Sequence, residues 1–73
     1  MTRQEFLSSL DKTLDLPAGT LTGAENLDDL ENWDSLAMMD YIALADSNGV
    51  KLSPRQIREC ERVDDLARLA RVE

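Results

Sequence analysis

Apolar residues recur at helical spacing from the beginning of the chain. Thr2 and Glu5 have the spacing of a capping box, in which a hydroxyl and a carboxylate satisfy the free amides of a helix start. We therefore predict a first helix over residues 3–14, ended by Pro17 and Gly19. The apolar face of this helix has four members: Phe6, Leu7, Leu10 and Leu14.

A second helix is predicted to start at Asp34-Ser35 and to stop at Asn48-Gly49, where glycine suits a left-handed C-cap. On a helical wheel its residues divide into two arcs. The uncharged arc, assigned to the core, contains Ala37, Met38, Tyr41, Ile42, Leu44 and Ala45. The mixed arc contains Leu36, Met39, Asp40, Ala43, Asp46 and Ser47, with Ser35 at its edge.

The mixed arc has two interpretations. In the first interpretation, its apolar residues pack beneath the neighbouring loop or are ordinary scattered surface residues. Alternatively, apolar contacts flanked by acids form a compact recognition surface for a partner. The arc carries two acids, Asp40 and Asp46, and no basic group. The wheel alone does not decide between the two interpretations.

Two shorter helices are predicted in the last third of the chain. Ser53-Pro54 places serine at a cap and proline at the first helical position, which predicts a third helix over residues 54–60. The last periodic stretch predicts a fourth helix over residues 63–71. These two helices are expected to bury Ile57, Cys60, Val63, Leu66, Leu69 and Ala70.

Residues 15–33 contain glycine, proline and asparagine at intervals that break any long periodic element, although a helical turn near residues 22–27 fits the spacing. We expect an ordered loop pinned across the bundle by four leucines: Leu16, Leu21, Leu27 and Leu30. The predicted fold is therefore all-α. It is a small four-helix bundle of three main helices and one short helix, with this long ordered loop between helices 1 and 2.

Size and composition favour one small domain. The chain has 73 residues, and its three aromatic residues and few β-branched residues suit packed helices better than a sheet. No apolar run approaches the length that spans a bilayer, and the N-terminus lacks a basic region followed by an apolar stretch. We expect a soluble, cytoplasmic and monomeric domain that does not enter a membrane.

Charge is unevenly distributed along the chain. The net charge is −7, and the segment between Lys12 and Lys51 holds eight acids and no basic residue. Such a run is most often a solvated surface that keeps a small protein soluble. The sharper alternative is an electrostatic docking patch for basic partners. Nucleic acid is not expected as a partner, because this field repels phosphates.

The residue types present exclude most catalytic chemistry. The chain has no histidine, so it contains no Ser-His or Cys-His pair that could activate a nucleophile. Cys60 is the only cysteine, which excludes an internal disulfide and a thiolate metal cluster. We therefore expect no catalytic residue and no metal site, and we do not expect an enzyme.

Ser35 has a structural and a functional interpretation. Aspartate is a favoured N-cap and serine is common in the first turn, so Asp34-Ser35-Leu36 alone is a weak signal. An exposed hydroxyl at a helix N-terminus is nevertheless a suitable attachment point for a group. Free amides and the positive end of the helix dipole favour a phosphate there.

Over most of its length the chain resembles the acyl carrier protein family, the phosphopantetheine-binding helical domains. Asp34-Ser35-Leu36 matches the attachment motif of the family. The connector Gly49-Val50-Lys51-Leu52-Ser53 matches the turn into its short helix, and Val63-Asp64-Asp65-Leu66 matches the opening of its last helix. The first helix and the loop match more loosely in length and pattern.

The resemblance implies that a separate transferase joins 4′-phosphopantetheine from coenzyme A to the Ser35 hydroxyl, using Mg²⁺ and supplying the general base. The thiol of the arm would hold an acyl group as a thioester. Acyl-loading ligases and acyl-transferring enzymes with basic patches would dock on the second helix. The docking residues implied are Asp34, Leu36, Met39, Asp40, Ala43 and Asp46. The core arc would form the cleft in which some members shelter the acyl chain.

Three positions depart from the family pattern. Asn32 stands where the family usually has glycine, and asparagine also tolerates left-handed backbone. Trp33 is larger than the usual apolar residue, and we expect it to anchor the loop. Ala37 replaces an acid common in carriers of primary fatty acid synthesis, which favours a specialised fatty acid or polyketide-type pathway. Two alternatives stay open: an aminoacyl carrier of a nonribosomal-peptide-type pathway, and an unmodified acidic helical interaction module.

Overall fold

Four α-helices and one 3₁₀ turn provide the regular structure of residues 1–72, the part of the chain that the computed structural model describes. The helices are α1 (Arg3–Thr13), α2 (Ser35–Ser47), α3 (Pro54–Arg58) and α4 (Val63–Leu69), and the 3₁₀ turn spans Leu27–Asp29. The all-α prediction is confirmed, with three longer helices, one short helix and a long ordered loop between α1 and α2. No helix within residues 1–72 has the length and apolar character needed to cross a bilayer.

The helix starts follow the predicted caps. At α1 the amide of Glu5 donates to the Thr2 hydroxyl at 3.2 Å, and the Glu5 carboxylate accepts from the Thr2 amide at 3.2 Å. Hydrogen bonding of the Glu5 carboxylate to the side chain and the backbone amide of Thr2 lowers the pKa of this carboxyl. At α2 the Asp34 carboxylate accepts from the amide of Ala37 at 2.9 Å. Short-range capping therefore fixes where both long helices begin.

The helix ends depend on left-handed residues. Positive φ angles follow α1, α2 and α4, at Asp15 (58°), Gly49 (83°) and Arg71 (58°). After α1 the amide of Leu16 donates to the carbonyl of Asp11 at 2.7 Å, which is the long hydrogen bond of a Schellman motif. The predicted left-handed cap at Gly49 is thus confirmed. The prediction that Pro17 and Gly19 end α1 is wrong, because the turn at Asp15 closes the helix first.

Both short helices end two residues earlier than predicted. α3 stops at Arg58 because the amide of Cys60 donates to the carbonyl of Ile57 in a tighter turn. α4 stops at Leu69 because the left-handed Arg71 reverses the chain after it. The apolar periodicity continues past these turns, which is why it overestimated the helix lengths.

One apolar core connects the helices, and Tyr41 lies at its centre. The ring of Tyr41 is fully buried and packs edge to face against Phe6 and Trp33, with centroids 6.0 and 6.2 Å away. Its hydroxyl donates to the carbonyl of Leu66 at 2.7 Å. The expected anchoring role of Trp33 is confirmed by this contact. All six residues predicted for the core arc of α2 are buried or half-buried: Ala37, Met38, Tyr41, Ile42, Leu44 and Ala45.

The long loop is fastened to the bundle as predicted, since Leu21 and Leu27 are buried and Leu16 and Leu30 are half-buried. A second fastening comes from Asp11, a carboxylate on α1 that is only 1% exposed. Its two oxygens accept the amides of the following loop residues, Gly19 at 3.0 Å and Leu21 at 3.1 Å. The sequence interpretation did not include this buried carboxylate.

The helical turn of the loop lies later than predicted. It spans Leu27–Asp29 rather than residues 22–27, because the Asn26 side chain caps it by accepting the amide of Asp28 at 3.0 Å. Before it, the Glu25 carboxylate accepts the amides of Thr22 and Gly23 at 2.9 Å each and turns the chain there. The expected helical turn therefore forms, but it begins only at Leu27, because the turn closed by the Glu25 carboxylate comes before it.

Gly23 sits where no larger residue fits. It is buried with a φ of 104°, and a Cβ on it would collide with the Arg3 guanidinium and the Asp64 carboxylate, which form an ion pair at 2.5 Å. We expect Gly23→Ala to lower the free energy of unfolding by about 2–3 kcal/mol, through backbone strain and loss of that ion pair. Urea unfolding provides the measurement.

A matched control is available at Gly19, which has a φ of 84° but open space around its Cβ position. Gly19→Ala should show the backbone strain alone, about 1–2 kcal/mol. Equal losses in the two variants would contradict the assigned role of the contact with Arg3 and Asp64.

Candidate functional site

Ser35 is the first residue of α2, and its side chain is exposed. Within residues 1–72 its hydroxyl takes part in no hydrogen bond, and the amides of Ser35 and Leu36 find no acceptor. Asp34 satisfies a different amide, that of Ala37. The site therefore presents a free hydroxyl beside two free N–H donors at the positive end of a 13-residue helix.

The end of the loop holds Ser35 in place. The amide of Trp33 donates to the carbonyl of Leu30 at 3.1 Å, while its ring packs on Tyr41. The side-chain amide of Asn32 donates to the carbonyl of Leu14 at 2.6 Å and so ties the start of α2 to the end of α1. Three contacts, two polar and one aromatic, thus position the chain just before the serine.

The left-handed backbone considered for Asn32 does not occur. Within the loop between α1 and the start of α2, positive φ angles are found at Asp15, Gly19 and Gly23. Asn32 instead uses its side chain as a hydrogen-bond donor, a role that glycine could not fill. Asn32 therefore shapes this part of the loop through a side-chain contact and not through a left-handed turn.

The mixed arc of α2 is a solvent-exposed surface. Leu36 is 73% exposed and Met39 is 65% exposed, so these apolar residues do not pack beneath the loop. This surface, which we name the α2 face, consists of Leu36, Met39, Asp40, Ala43 and Asp46, all of them exposed. It starts directly beside Ser35. Its two large apolar residues are three positions apart and hence neighbours on one side of the helix.

The acids around Ser35 are not neutralised by the rest of the molecule. Within residues 1–72 the ion pairs are Arg3 with Asp64 at 2.5 Å and Arg68 with Asp65 at 3.9 Å. None of the acids in the segment between Lys12 and Lys51 has a basic partner in this part of the chain. The α2 face therefore lies in an unbalanced negative field that attracts cationic surfaces.

A groove beside Ser35 was not foreseen from the sequence. It has a volume of about 320 Å³ and lies where the end of α1 meets the start of α2. Its lining includes Leu14, Asp15, Asn32, Asp34, Leu36 and Asp40. We name it the α1–α2 groove. It shares Leu36 and Asp40 with the α2 face, so the two surfaces are continuous.

Cys60 is a packing residue in this geometry. It is half-buried, its thiol donates to the carbonyl of Gln56 at 3.7 Å, and burial raises the pKa of the thiol. A raised pKa reduces the thiolate fraction, which is the reactive form. Among the residues that the structure describes, no three His, Cys, Asp or Glu side chains group in a way that could hold a metal ion.

Comparison with known proteins finds no matching family model, no matching curated protein and no matching solved structure. The function is therefore inferred from the site itself. That site combines an exposed hydroxyl on Ser35, two free amides beside it, and an exposed apolar and acidic face that starts at Leu36.

Proposed function

We propose that this chain is a stand-alone carrier protein of the acyl carrier type, with 4′-phosphopantetheine attached to Ser35. The observation that carries the proposal is the placement of Ser35. Its exposed hydroxyl has no internal partner, and it adjoins an exposed face that offers both apolar contacts and acids. On this proposal the chain is the substrate of a transferase and a platform for other enzymes, not a catalyst.

The residues at the start of α2 fit a phosphate. The free amides of Ser35 and Leu36 are donors at the positive end of the helix, where a phosphodiester on the serine oxygen would be stabilised. Asp34 already uses its carboxylate as the helix cap, so the cap remains intact when the serine is modified. No buried residue would need to move, because the hydroxyl faces solvent.

Within residues 1–72 no side chain hydrogen-bonds to the Ser35 hydroxyl, so on this proposal the transferase accepts its proton. The transfer forms a bond between Ser35 Oγ and the phosphorus of the pantetheine arm. It breaks a P–O bond of the pyrophosphate in coenzyme A and releases adenosine 3′,5′-bisphosphate. When attached, the arm supplies the thiol that holds an acyl group as a thioester. The role of the chain is to present the serine and to be recognised.

Recognition is assigned to the α2 face together with Asp34. Leu36 and Met39 supply apolar contact, and Asp34, Asp40 and Asp46 supply negative charge for basic patches on the transferase, the loading ligase and the acyl-transferring enzymes. Charge of this kind raises the rate of encounter and orients the partner. The cargo we propose is an acyl group of a specialised fatty acid or polyketide-type pathway, with an aminoacyl group as the alternative.

The proposal predicts that Ser35→Ala abolishes modification. The protein is incubated with coenzyme A, Mg²⁺ and a broad-specificity phosphopantetheinyl transferase, and intact mass is measured. The wild type should gain the mass of one phosphopantetheine group and Ser35→Ala should gain none. Ser47→Ala is the matched control, because Ser47 is an exposed serine at the other end of the same helix. It should be modified like the wild type.

The same exposed α2 face also supports a second function, an interaction module that binds a basic partner without modification. Under that alternative, binding survives Ser35→Ala but is lost when Asp40 and Asp46 are both changed to asparagine. An unmodified wild type after treatment with several transferases would exclude the carrier function and leave this alternative.

A further inference from the structure

The C-terminal end of α2 contains an asparagine followed by a glycine, Asn48 and Gly49, and both residues are exposed. In such a pair the backbone nitrogen of the second residue can attack the side-chain amide of the first, because glycine has no side chain that obstructs the approach. The other two asparagines, Asn26 and Asn32, precede leucine and tryptophan, whose bulk hinders the same attack. This chemistry is therefore concentrated at one point of the chain.

The folded chain holds both reacting groups in hydrogen bonds. The amide of Gly49 donates to the carbonyl of Asp46 at 3.0 Å, and the amide of the next residue donates to the carbonyl of Ala45 at 3.0 Å, which completes a Schellman motif. The side-chain amide of Asn48 donates to the carbonyl of Leu44 at 2.9 Å. Asn48 has a ψ of 15°, and the attack needs a rotation of this angle that breaks the motif. The C-cap of α2 therefore keeps the nitrogen away from the carbon that it would attack.

We propose that Asn48 is a site of spontaneous deamidation and that opening of the α2 C-cap sets its rate. When the cap opens, the nitrogen of Gly49 forms a bond to Cγ of Asn48, and the bond between Cγ and Nδ2 breaks. The proton of the Gly49 amide leaves with Nδ2 as ammonia, and a cyclic imide remains. Water then opens the imide at either carbonyl, which gives aspartate or isoaspartate. Water is the only co-reactant, so the inference does not depend on the proposed carrier function.

Either product weakens the end of α2. A carboxylate at this position cannot donate to the Leu44 carbonyl as the side-chain amide of Asn48 does. It also places a negative charge at the negative end of the helix dipole, two residues after Asp46. Isoaspartate adds one carbon to the main chain, so the spacing of the Schellman motif is lost. The change stays far from Ser35, which lies at the opposite end of this helix.

The site is tested by incubating the full chain in mildly alkaline buffer and digesting samples with an endoproteinase that cleaves before aspartate. The peptide that begins at Asp46 contains Asn48 but not Ser35. It should gain the mass difference between an amide and an acid, whereas the peptides that contain Asn26 and Asn32 should not. Asn48→Gln is the matched control, because glutamine keeps the amide but forms the larger ring slowly. An unchanged Asn48 peptide, or faster reaction at either other asparagine, would overturn the assignment.

The role of the cap is tested by comparing deamidation rates in the folded chain and in guanidinium chloride at the same pH. The folded chain should react about 5- to 20-fold more slowly, because the cap must open first. Val50→Ala removes half-buried packing next to the cap and should speed the folded reaction about 2- to 5-fold. Val72→Ala, the same deletion at a half-buried valine outside the cap, should change the rate less. Equal rates in the folded and unfolded chain, or equal acceleration by both variants, would overturn this role.

The structural consequence is measured by hydrogen exchange. Asn48→Asp imitates one product, and Asn48→Ala removes the hydrogen bond without adding a charge. The amides of Gly49 and Val50 should exchange about 3- to 10-fold faster in Asn48→Asp than in the wild type, and less so in Asn48→Ala. The amide of Met38, which donates to the carbonyl of Asp34 at 2.9 Å, should keep its protection. Unchanged exchange at Gly49 and Val50 in Asn48→Asp would overturn the predicted weakening of α2.

Discussion

Tyr41→Ala should lower the free energy of unfolding by about 3–5 kcal/mol, a large part of the stability of so small a domain. Tyr41 is fully buried and is the one aromatic ring in contact with both others, Phe6 and Trp33. Its loss leaves a cavity at the centre of the core and releases the anchor of the loop that leads to Ser35. Urea unfolding followed by circular dichroism measures the loss.

Tyr41→Phe separates the ring from the hydroxyl. It keeps the aromatic contacts and removes only the hydrogen bond to the carbonyl of Leu66, which still accepts the amide of Ala70 at 3.0 Å. We expect a loss of about 1 kcal/mol. A loss as large as that of Tyr41→Ala would contradict the assignment of stability to ring packing.

The burial of Tyr41 also makes the stability depend on pH in the alkaline range. It raises the pKa of the Tyr41 phenol above its ordinary value of 10.0. Below this pH the phenol is neutral in both the folded and the unfolded chain, so it contributes no pH dependence. Above it the unfolded chain ionises first, so stability falls as the pH rises. Tyr41→Phe should reduce that fall.

Asp11→Ala should lower the free energy of unfolding by about 2–4 kcal/mol, because it removes a charged acceptor from two backbone amides. The amide of Leu21 is then left buried without a partner, and the amide of Gly19 must find water. Hydrogen exchange should show the local effect. The Leu21 amide should lose protection more than the amides of α2.

The control for Asp11 is Asp28→Ala. Asp28 is also an acid of the α1–α2 region, but it is exposed, and we expect a change within about 0.5 kcal/mol. Similar losses in the two variants would mean that net charge, and not the hydrogen bonds to the loop, determines the stability.

The helices could be predicted because their signals are local. The capping box of Thr2 and Glu5 and the cap at Asp34 each involve residues three positions apart, and the structure forms both. The division of α2 into a core arc and an exposed face follows from helical periodicity, and the side chains of Tyr41 and Met39 lie on the predicted sides. These features need no knowledge of the tertiary arrangement.

The buried carboxylate of Asp11 was missed, although a signal was present. Asp11 is four residues after Leu7 and three before Leu14, so it falls on the apolar stripe of α1. An acid on such a stripe is buried when the helix packs, and a buried carboxylate needs hydrogen-bond donors. The donors are the amides of Gly19 and Leu21. They reach Asp11 because the loop folds back onto α1, and no local sequence pattern predicts that path.

The candidate site was predicted only in part. Ser35 and the α2 face follow from one helix and its cap. The α1–α2 groove depends on the meeting of two helix ends, and Asn32 joins them through a hydrogen bond to the carbonyl of Leu14. No spacing rule relates Asp15 to Asp34 across the long loop. Contacts between residues so far apart in the sequence can be identified only from the folded structure.

The most direct test of the carrier proposal is the intact mass of the protein purified from its own cells, with proteolytic peptides to locate any added group. The proposal predicts a mass above that of the sequence by one phosphopantetheine group, or more if a cargo is retained, located on the peptide that contains Ser35. An unmodified mass in the native material, together with no gain after treatment with coenzyme A, Mg²⁺ and a transferase, would contradict it.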